Sequence, residues 1–435
     1  MLFSNIAIID ENLNYIPHAW VGVRGDKIEF ISTSAPSKEV TDTYEEVYDG
    51  RNKLLMTAFY NAHSHVSMTM LRGYAEGLPL HEWLNDMIWP FEEKMTGEDA
   101  YWATLLGCAD MARYGVVSFS VMYMFTPERA RAVAESGMKA NLCQHFVEFN
   151  ATNFEDIPLY APIHEWIDEY HNSCKGRIKM DYCIHGEYTV NAATIKGIAN
   201  AAKEHGLGIQ AHVSESKREH EECKARHDGK TPIQLFESLG ALDAPFTAAH
   251  CVWVEDCDVE IMSKHGVYVS TNPAANMKLG SGFAPTQKML SSGVNVALGT
   301  DGVASNNNHN IMKDMYLMAT LSKGYNLDPT AISEKQALRA STITGALSQG
   351  RKDCGALKTG NKADLVVLDT SGPSWQPAIN PIANLVYSGN GSDVCLTMCD
   401  GVIIYRDNTY PTINISEAIR QVNERATRVI NELAK

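Results

Sequence analysis

His63, Ser64 and His65 form an H-x-H directly after the apolar run Leu54–Tyr60. On a β-strand, side chains two residues apart point the same way, so two imidazoles at that spacing converge on one point, as metal ligands must. The pair alone is a weak sign, because strand histidines are commonly ordinary polar residues. Matching groups recur at the ends of later apolar runs: His185, His212 with Glu215 three residues on, His250, and Asp301 in the segment GTDG. Neutral imidazoles with one carboxylate suit a borderline ion such as Zn2+ and leave one position for water; Fe2+ and Mn2+ tolerate the same ligands. Such an ion lowers the pKa of water from 15.7 to about 7. Hydrolysis would still need a base for the water proton and an acid for a substrate ring nitrogen. Glu215 is one short reach beyond a ligand and can serve both duties in turn. A second ion at the same site would need a bridging anion, commonly a carboxylated lysine on the fourth strand. Lys179 lies at the wrong end of that strand, so the pattern implies one divalent metal ion.

These side chains must be brought together by the elements that carry them. Short apolar runs (VVSFSV, IKMDYCI, GIQAHV, FTAAH, GVYVST, VNVALGT) alternate with stretches of helical period such as Ala192–His205, Thr231–Leu239, Asp256–His265 and Pro285–Ser292. That alternation signals parallel βαβ units, and about eight of them suit a (β/α)8 TIM-type barrel. In such a barrel the C-terminal strand ends open onto one face, where active sites sit. His63 and His65 close the first strand, His185 the fourth, His212 the fifth, His250 the sixth and Asp301 the eighth. Any one of them could be a buried histidine bonded to a carbonyl, or an aspartate capping a helix. Their shared place on one rim is what argues for a site. A doubly wound sheet fits less well, since no G-x-G-x-x-G follows an early strand.

The flanks have a different texture. Residues 1–57 alternate in short runs (NIAIID, WVGVRG, KIEFIS), and 355–435 return to strand character (ADLVVLD, VCLTMCDGVIIYRDN) before an amphipathic helix over Ser416–Ala434. The simplest assembly pairs both chain ends into a smaller composite β-sandwich domain beside a barrel spanning 58–354. A net charge of -15 repels phosphate backbones and anionic membranes, so nucleic acid and membrane partners are not expected and a small-molecule substrate is. Ten cysteines without a C-x-x-C pair read as reduced thiols of a cytoplasmic protein. The start shows no basic, apolar leader pattern, and no window reaches the eighteen apolar residues of a membrane span. A homo-oligomer stays open.

The segments HSHVSMTMLRG, LPLHEWL, HVSE, AAHC, STNPAANMKLGSG and LGTDGVASNN resemble the amidohydrolase superfamily, and within it the methylthioadenosine/S-adenosylhomocysteine deaminase branch. The resemblance continues through GALKTGNKADLVVLD, which is similar to the superfamily's composite β domain. It implies that His63, His65, His212 and Asp301 hold the metal, that Glu215 contacts the base and shuttles protons, and that His250 orients the hydrolytic water. Asp301 would also take a proton from that water. Glu82, in LPLHEWL, matches the family's ribose-binding glutamate, and His185 is placed to contact the sugar or ring. Glu82 has a plain alternative as a favourable charge at a helix start near Pro79. Trp83 and Trp89 read as packing residues, and Arg72 as part of the scaffold.

One segment departs from the pattern. Where homocysteine-accepting relatives carry arginine, KANLCQHFVEFN offers Gln144 and His145, and a buried carboxylate without a cationic partner is costly. The expected reaction is therefore zinc-dependent hydrolytic deamination of an adenine nucleoside to an inosine-type product and ammonia. 5'-Methylthioadenosine, 5'-deoxyadenosine and adenosine are favoured over S-adenosylhomocysteine. A hydrolase of another aminated heterocycle (guanine, pterin or s-triazine type) is the main alternative, and an inert binding barrel the third.

Overall fold

A computed structural model describes residues 1–435. The apolar run before the histidine pair is not one strand. It splits at Ala58 into Lys53–Thr57 and Phe59–Ser64, which belong to different sheets. Lys53–Thr57 pairs antiparallel with Leu365–Asp369 and parallel with Leu2–Ile9, whereas Phe59–Ser64 pairs parallel with Val116–Tyr123. Both halves are buried on both faces, so hydrophobicity runs straight through the break.

Eight barrel strands follow in chain order. They are Phe59–Ser64, Val116–Tyr123, Lys139–Gln144, a fourth made of Ile178–Met180 and Tyr182–Ile184, then Ile209–Val213, Phe246–His250, Tyr268–Thr271 and Asn295–Leu298. Neighbours pair parallel throughout, in sheets of four and five strands that meet at Asp181. There the Asp181 N–H donates to Leu142 O at 2.9 Å and the Tyr182 N–H to Gly208 O at 2.8 Å, so the fourth strand turns from one neighbour to the other. On the opposite flank the Asp301 N–H donates to His63 O at 3.0 Å, bringing the chain after the eighth strand against the first. This is the strand–helix succession of a (β/α)8 barrel. Helix ends follow local chemistry: Asn191 caps Ala192–His205 and Gly206 ends it in a left-handed turn, while Thr231 and Gln234 form a capping box at Pro232–Ser238.

The chain ends build one eight-stranded sheet. Its neighbours run Val402–Arg406, Val394–Cys399, Leu365–Asp369, Lys53–Thr57, Leu2–Ile9, Tyr15–Arg24 and Lys27–Ser32, with Val47–Asp49 also on Leu2–Ile9. Strand alternation divides its side chains between two cores. Leu55, Leu365 and Val367 join a small core of the sheet's own, while Leu54, Met56, Val366 and Leu368 face the large core shared with the barrel. A buried ion pair pins this junction: the Lys139 amine meets Asp364, lies 2.7 Å from Asp400, and shares Asp364 with the Tyr60 hydroxyl at 2.5 Å. The terminal helix, Ile415–Leu433, is tied to the helix Gly97–Arg113 by Arg425 and Arg428 on Asp99, at 3.1 and 2.5 Å. No helix is long and apolar enough to cross a membrane, and all the cysteines are free.

Candidate metal centre and active site

His63 lies at the end of the first barrel strand and His65 just beyond it. Their rings meet edge to face with centroids 4.9 Å apart, and the His212 ring stands 5.0 Å from His63 and 5.2 Å from His65. His65 Nε2 is 3.2 Å from His212 Nε2, while Asp301 Oδ1 is 3.2 Å from His65 Nε2 and 3.5 Å from His63 Nε2. Tetrahedral zinc with Zn–N bonds of about 2.0–2.1 Å spaces its ligand atoms about 3.3 Å apart. The cluster has that spacing.

The tautomers are fixed by the backbone. Met122 O accepts from His65 Nδ1 at 2.6 Å, and His185 O accepts from His212 Nδ1 at 2.7 Å. A carbonyl only accepts, so each proton sits on Nδ1 and each Nε2 lone pair faces the cluster. His63 Nε2 is buried without a hydrogen-bond partner. Lone pairs turned toward one another around a carboxylate oxygen lack a cation between them, and three nitrogens with one oxygen suit a divalent ion of zinc type. Burial lowers the pKa of His63 to about 4 and that of His185 to about 3, and drives His212 well below its ordinary value, so these rings are neutral at pH 7. Asp301 is buried beside these rings. The Ser305 hydroxyl donates to its other oxygen at 2.8 Å.

Glu215 stands on a turn built by its neighbours. The backbone N–H groups of Ser214 and Glu215 donate to the Glu219 carboxylate at 2.9 and 2.8 Å, and Glu219 forms the capping box that opens the helix Lys217–Arg226. Burial, with the Asp301 charge adding to it, pushes the Glu215 carboxyl up to about 8. A glutamic acid that keeps its proton at neutral pH can donate it. His250 donates from Nδ1 to Asn276 Oδ1 at 2.8 Å, which leaves its Nε2 3.7 Å from Glu215 Oε2. Ser214, His250 and Asp301 have φ of 48°, 72° and 61°, a left-handed backbone that residues with a Cβ seldom adopt, so the strand ends hold strain around the site. In GTDG, a Cβ on Gly299 would sit 2.4 Å from Asn272 Oδ1 and 2.5 Å from Ser270 Oγ; only glycine allows that approach.

Above the cluster opens a cavity of ≈ 560 Å³, counted with the solvent space at its mouth. His65, His212, Glu215, His250 and Asp301 face it, as do His145 and His185. The segment from Leu80 to Trp89 forms an apolar wall through Leu80, Trp83, Leu84, Ile88 and Trp89. Trp83 and Trp89 thus line the cavity rather than merely packing the core. The cause is a wide π-type turn over Trp83–Ile88, which breaks ordinary helical spacing. Glu82 is exposed at the end of the short helix Leu80–Glu82 and is not among the cavity-facing residues. Gln144 is turned away, its Oε1 accepting from Thr126 Oγ1 at 2.9 Å. Lys179 donates to Gly350 O at 2.7 Å, and no lysine or arginine lines the cavity.

Three polar cavity residues escaped the sequence reading: Glu92, Tyr123 and Tyr188. Glu92 is buried, its Oε1 has no partner, and burial pushes its carboxyl up to about 7. No local spacing marks it, because it ends the one-turn helix Trp89–Glu92 that follows the π turn.

This geometry is that of a metal-dependent hydrolase barrel, and the family match agrees. The amidohydrolase family model covers residues 54–404, and the chain belongs to that family. The 5-methylthioadenosine/S-adenosylhomocysteine deaminase of Dictyoglomus thermophilum is 39% identical over 407 residues, 94% of each chain. The 5'-deoxyadenosine deaminase of Methanosarcina mazei is 37% identical over 426 residues, covering 98% of this chain and 96% of that one. Among solved structures, a zinc-bound adenosine deaminase from Xanthomonas campestris superposes with a TM-score of 0.92 at 25% identity, over 99% of this chain and 98% of the other.

Proposed function

We propose that this protein hydrolytically deaminates an adenine nucleoside, releasing ammonia and the inosine-type product. The observation that carries this reading is the convergence of His63, His65, His212 and Asp301 beneath a cavity that also holds the buried acid Glu215. The deaminase names of full-length relatives support the substrate class. Those four residues would hold a divalent ion, zinc by donor set, which would supply Lewis acidity toward water.

The remaining work belongs to side chains. Glu215 donates its proton to the ring nitrogen beside the reacting carbon, which makes that carbon electrophilic. Asp301 accepts a proton from the attacking water, and His250 Nε2 orients it. Water oxygen bonds to the carbon, the amine takes the proton held by Asp301, the carbon–amine bond breaks to release ammonia, and the new hydroxyl proton returns to Glu215 as the carbonyl forms. Trp83, Trp89, Leu84 and Ile88 supply apolar walls for a flat purine. Because no cationic side chain faces the cavity, a neutral or small 5' group is favoured over the charged amino-acid tail of S-adenosylhomocysteine. His185 contacts the sugar or ring. By its motif, Glu82 is the residue that accepts from the ribose hydroxyls, beside the cavity wall formed by Leu80 and Trp83.

The test is turnover by metal-loaded protein across adenosine, 5'-deoxyadenosine, 5'-methylthioadenosine, S-adenosylhomocysteine and guanine. Release of ammonia from guanine alone would replace this reading with the heterocycle alternative.

A further inference from the structure

Three more ligand-type side chains meet outside the catalytic cavity. Cys223 belongs to the helix Lys217–Arg226, and His227 follows it with its N–H still donating to Cys223 O at 2.9 Å. The two are therefore an i, i+4 pair on one helical face. Glu187 reaches them from the loop after the fourth strand, between the cavity residues His185 and Tyr188. One ligand atom from each of the three lies within 4.8 Å of the others.

The Glu187 side chain is wholly buried. Its Oε1 accepts from Arg226, but Oε2 has no hydrogen-bond partner and lies 3.3 Å from His227 Nε2. A buried carboxylate oxygen left unbonded is costly. The catalytic cluster shows the same sign, an orphaned buried His63 Nε2. With Arg226 satisfying one oxygen, the other faces His227 Nε2, where a bound cation would take both atoms as ligands.

We propose that Glu187, Cys223 and His227 form a second metal site, separate from the catalytic centre, that binds a divalent ion of the zinc class. Sulfur, nitrogen and oxygen donors select Zn2+, Co2+ or Cd2+ over Mg2+ and Ca2+. The His227 side chain, 26% exposed, gives the ion a route from solvent and leaves a fourth position for water. Binding releases the Cys223 thiol proton to solvent and exchanges its weak 3.5 Å contact with Lys230 O for a metal–sulfur bond. The ion ties the loop bearing His185 and Tyr188 to the helix that follows Glu215, so it fixes two cavity walls without touching substrate.

Cobalt substitution separates this site from the catalytic one, because only a thiolate ligand gives a sulfur-to-cobalt charge-transfer band in the near ultraviolet. The full chain, stripped of metal and titrated with Co2+, is expected to bind two equivalents, one of which raises that band. Cys223→Ser should lose the band and one equivalent while keeping the other. His227→Gln should weaken the affinity read from the band about tenfold or more. Uptake of a single equivalent without the band, or a band that survives Cys223→Ser, overturns the proposal and leaves Glu187 as an ion-pair latch. If Cys223→Ser does not fold, an unchanged band in His227→Gln is equally decisive.

Discussion

Glu215→Gln removes a titrating group while keeping shape, and should move activity and stability in opposite directions. Glutamine cannot carry a proton, and general acid–base catalysis is worth about 10²- to 10⁴-fold, so kcat should fall by at least about a hundredfold with metal content unchanged. The stability effect follows from the rise of the Glu215 carboxyl from 4.5 to about 8 by burial. At about 1.36 kcal/mol per pH unit, ionising it inside the fold costs on the order of 5 kcal/mol. The folded value lies above the unfolded one, so this cost is absent below about pH 4.5, grows between there and pH 8, and is complete above. Metal-free wild type should therefore lose thermal stability across that window relative to metal-free Glu215→Gln, whose side chain stays neutral throughout. The assay is a pair of melting curves at several pH values, with ammonia release measured on metal-loaded protein. Parallel pH dependences would show that Glu215 is not a buried acid. A variant within tenfold of wild-type turnover would remove it from proton transfer.

Other perturbations address separate parts of the account. His212→Ala should deplete the bound ion and lower the melting temperature, since the ligands are buried and metal binding is coupled to the fold; full zinc occupancy with an unchanged melting temperature contradicts this. Glu82→Gln should raise KM for the nucleoside about tenfold through loss of charge-assisted hydrogen bonds, with little change in kcat. An unchanged KM would take the ribose contact away from Glu82 and direct attention to Glu92, which already faces the cavity. Lys139→Met strands the buried Asp364 carboxylate and should cost about 3–5 kcal/mol, seen as a melting temperature lowered by several degrees at constant metal content. A change below about 0.5 kcal/mol would mean that the Tyr60 hydroxyl and the Asp400 N–H satisfy Asp364 without the lysine.

Much of this was legible because strand chemistry is local. His63 and His65 announce themselves by a two-residue spacing, and the runs before His212 and His250 end at the same rim because parallel strands share a direction. The change of sheet within the run Leu54–Tyr60 is not marked by its composition: a strand buried in one sheet reads like a strand buried in the next, and only pairing with Leu365–Asp369 separates them. Trp83 and Trp89 read as packing residues in the sequence because nothing there marks the π turn that faces them into the cavity. Glu92 and Tyr188 have no periodic partner and are defined only by what the assembled fold places opposite them. The contacts of Glu187 with Cys223 and His227 cross about 40 residues and two elements, beyond the reach of spacing rules that detect His63 and His65.

The most direct test of the central claim is ammonia release by the zinc-loaded protein from 5'-deoxyadenosine and 5'-methylthioadenosine, run beside the chelator-stripped protein. The account predicts stoichiometric ammonia and inosine-type product from the loaded protein, little from the stripped one, and recovery when zinc is restored. Bound zinc with no ammonia from any adenine nucleoside would contradict it.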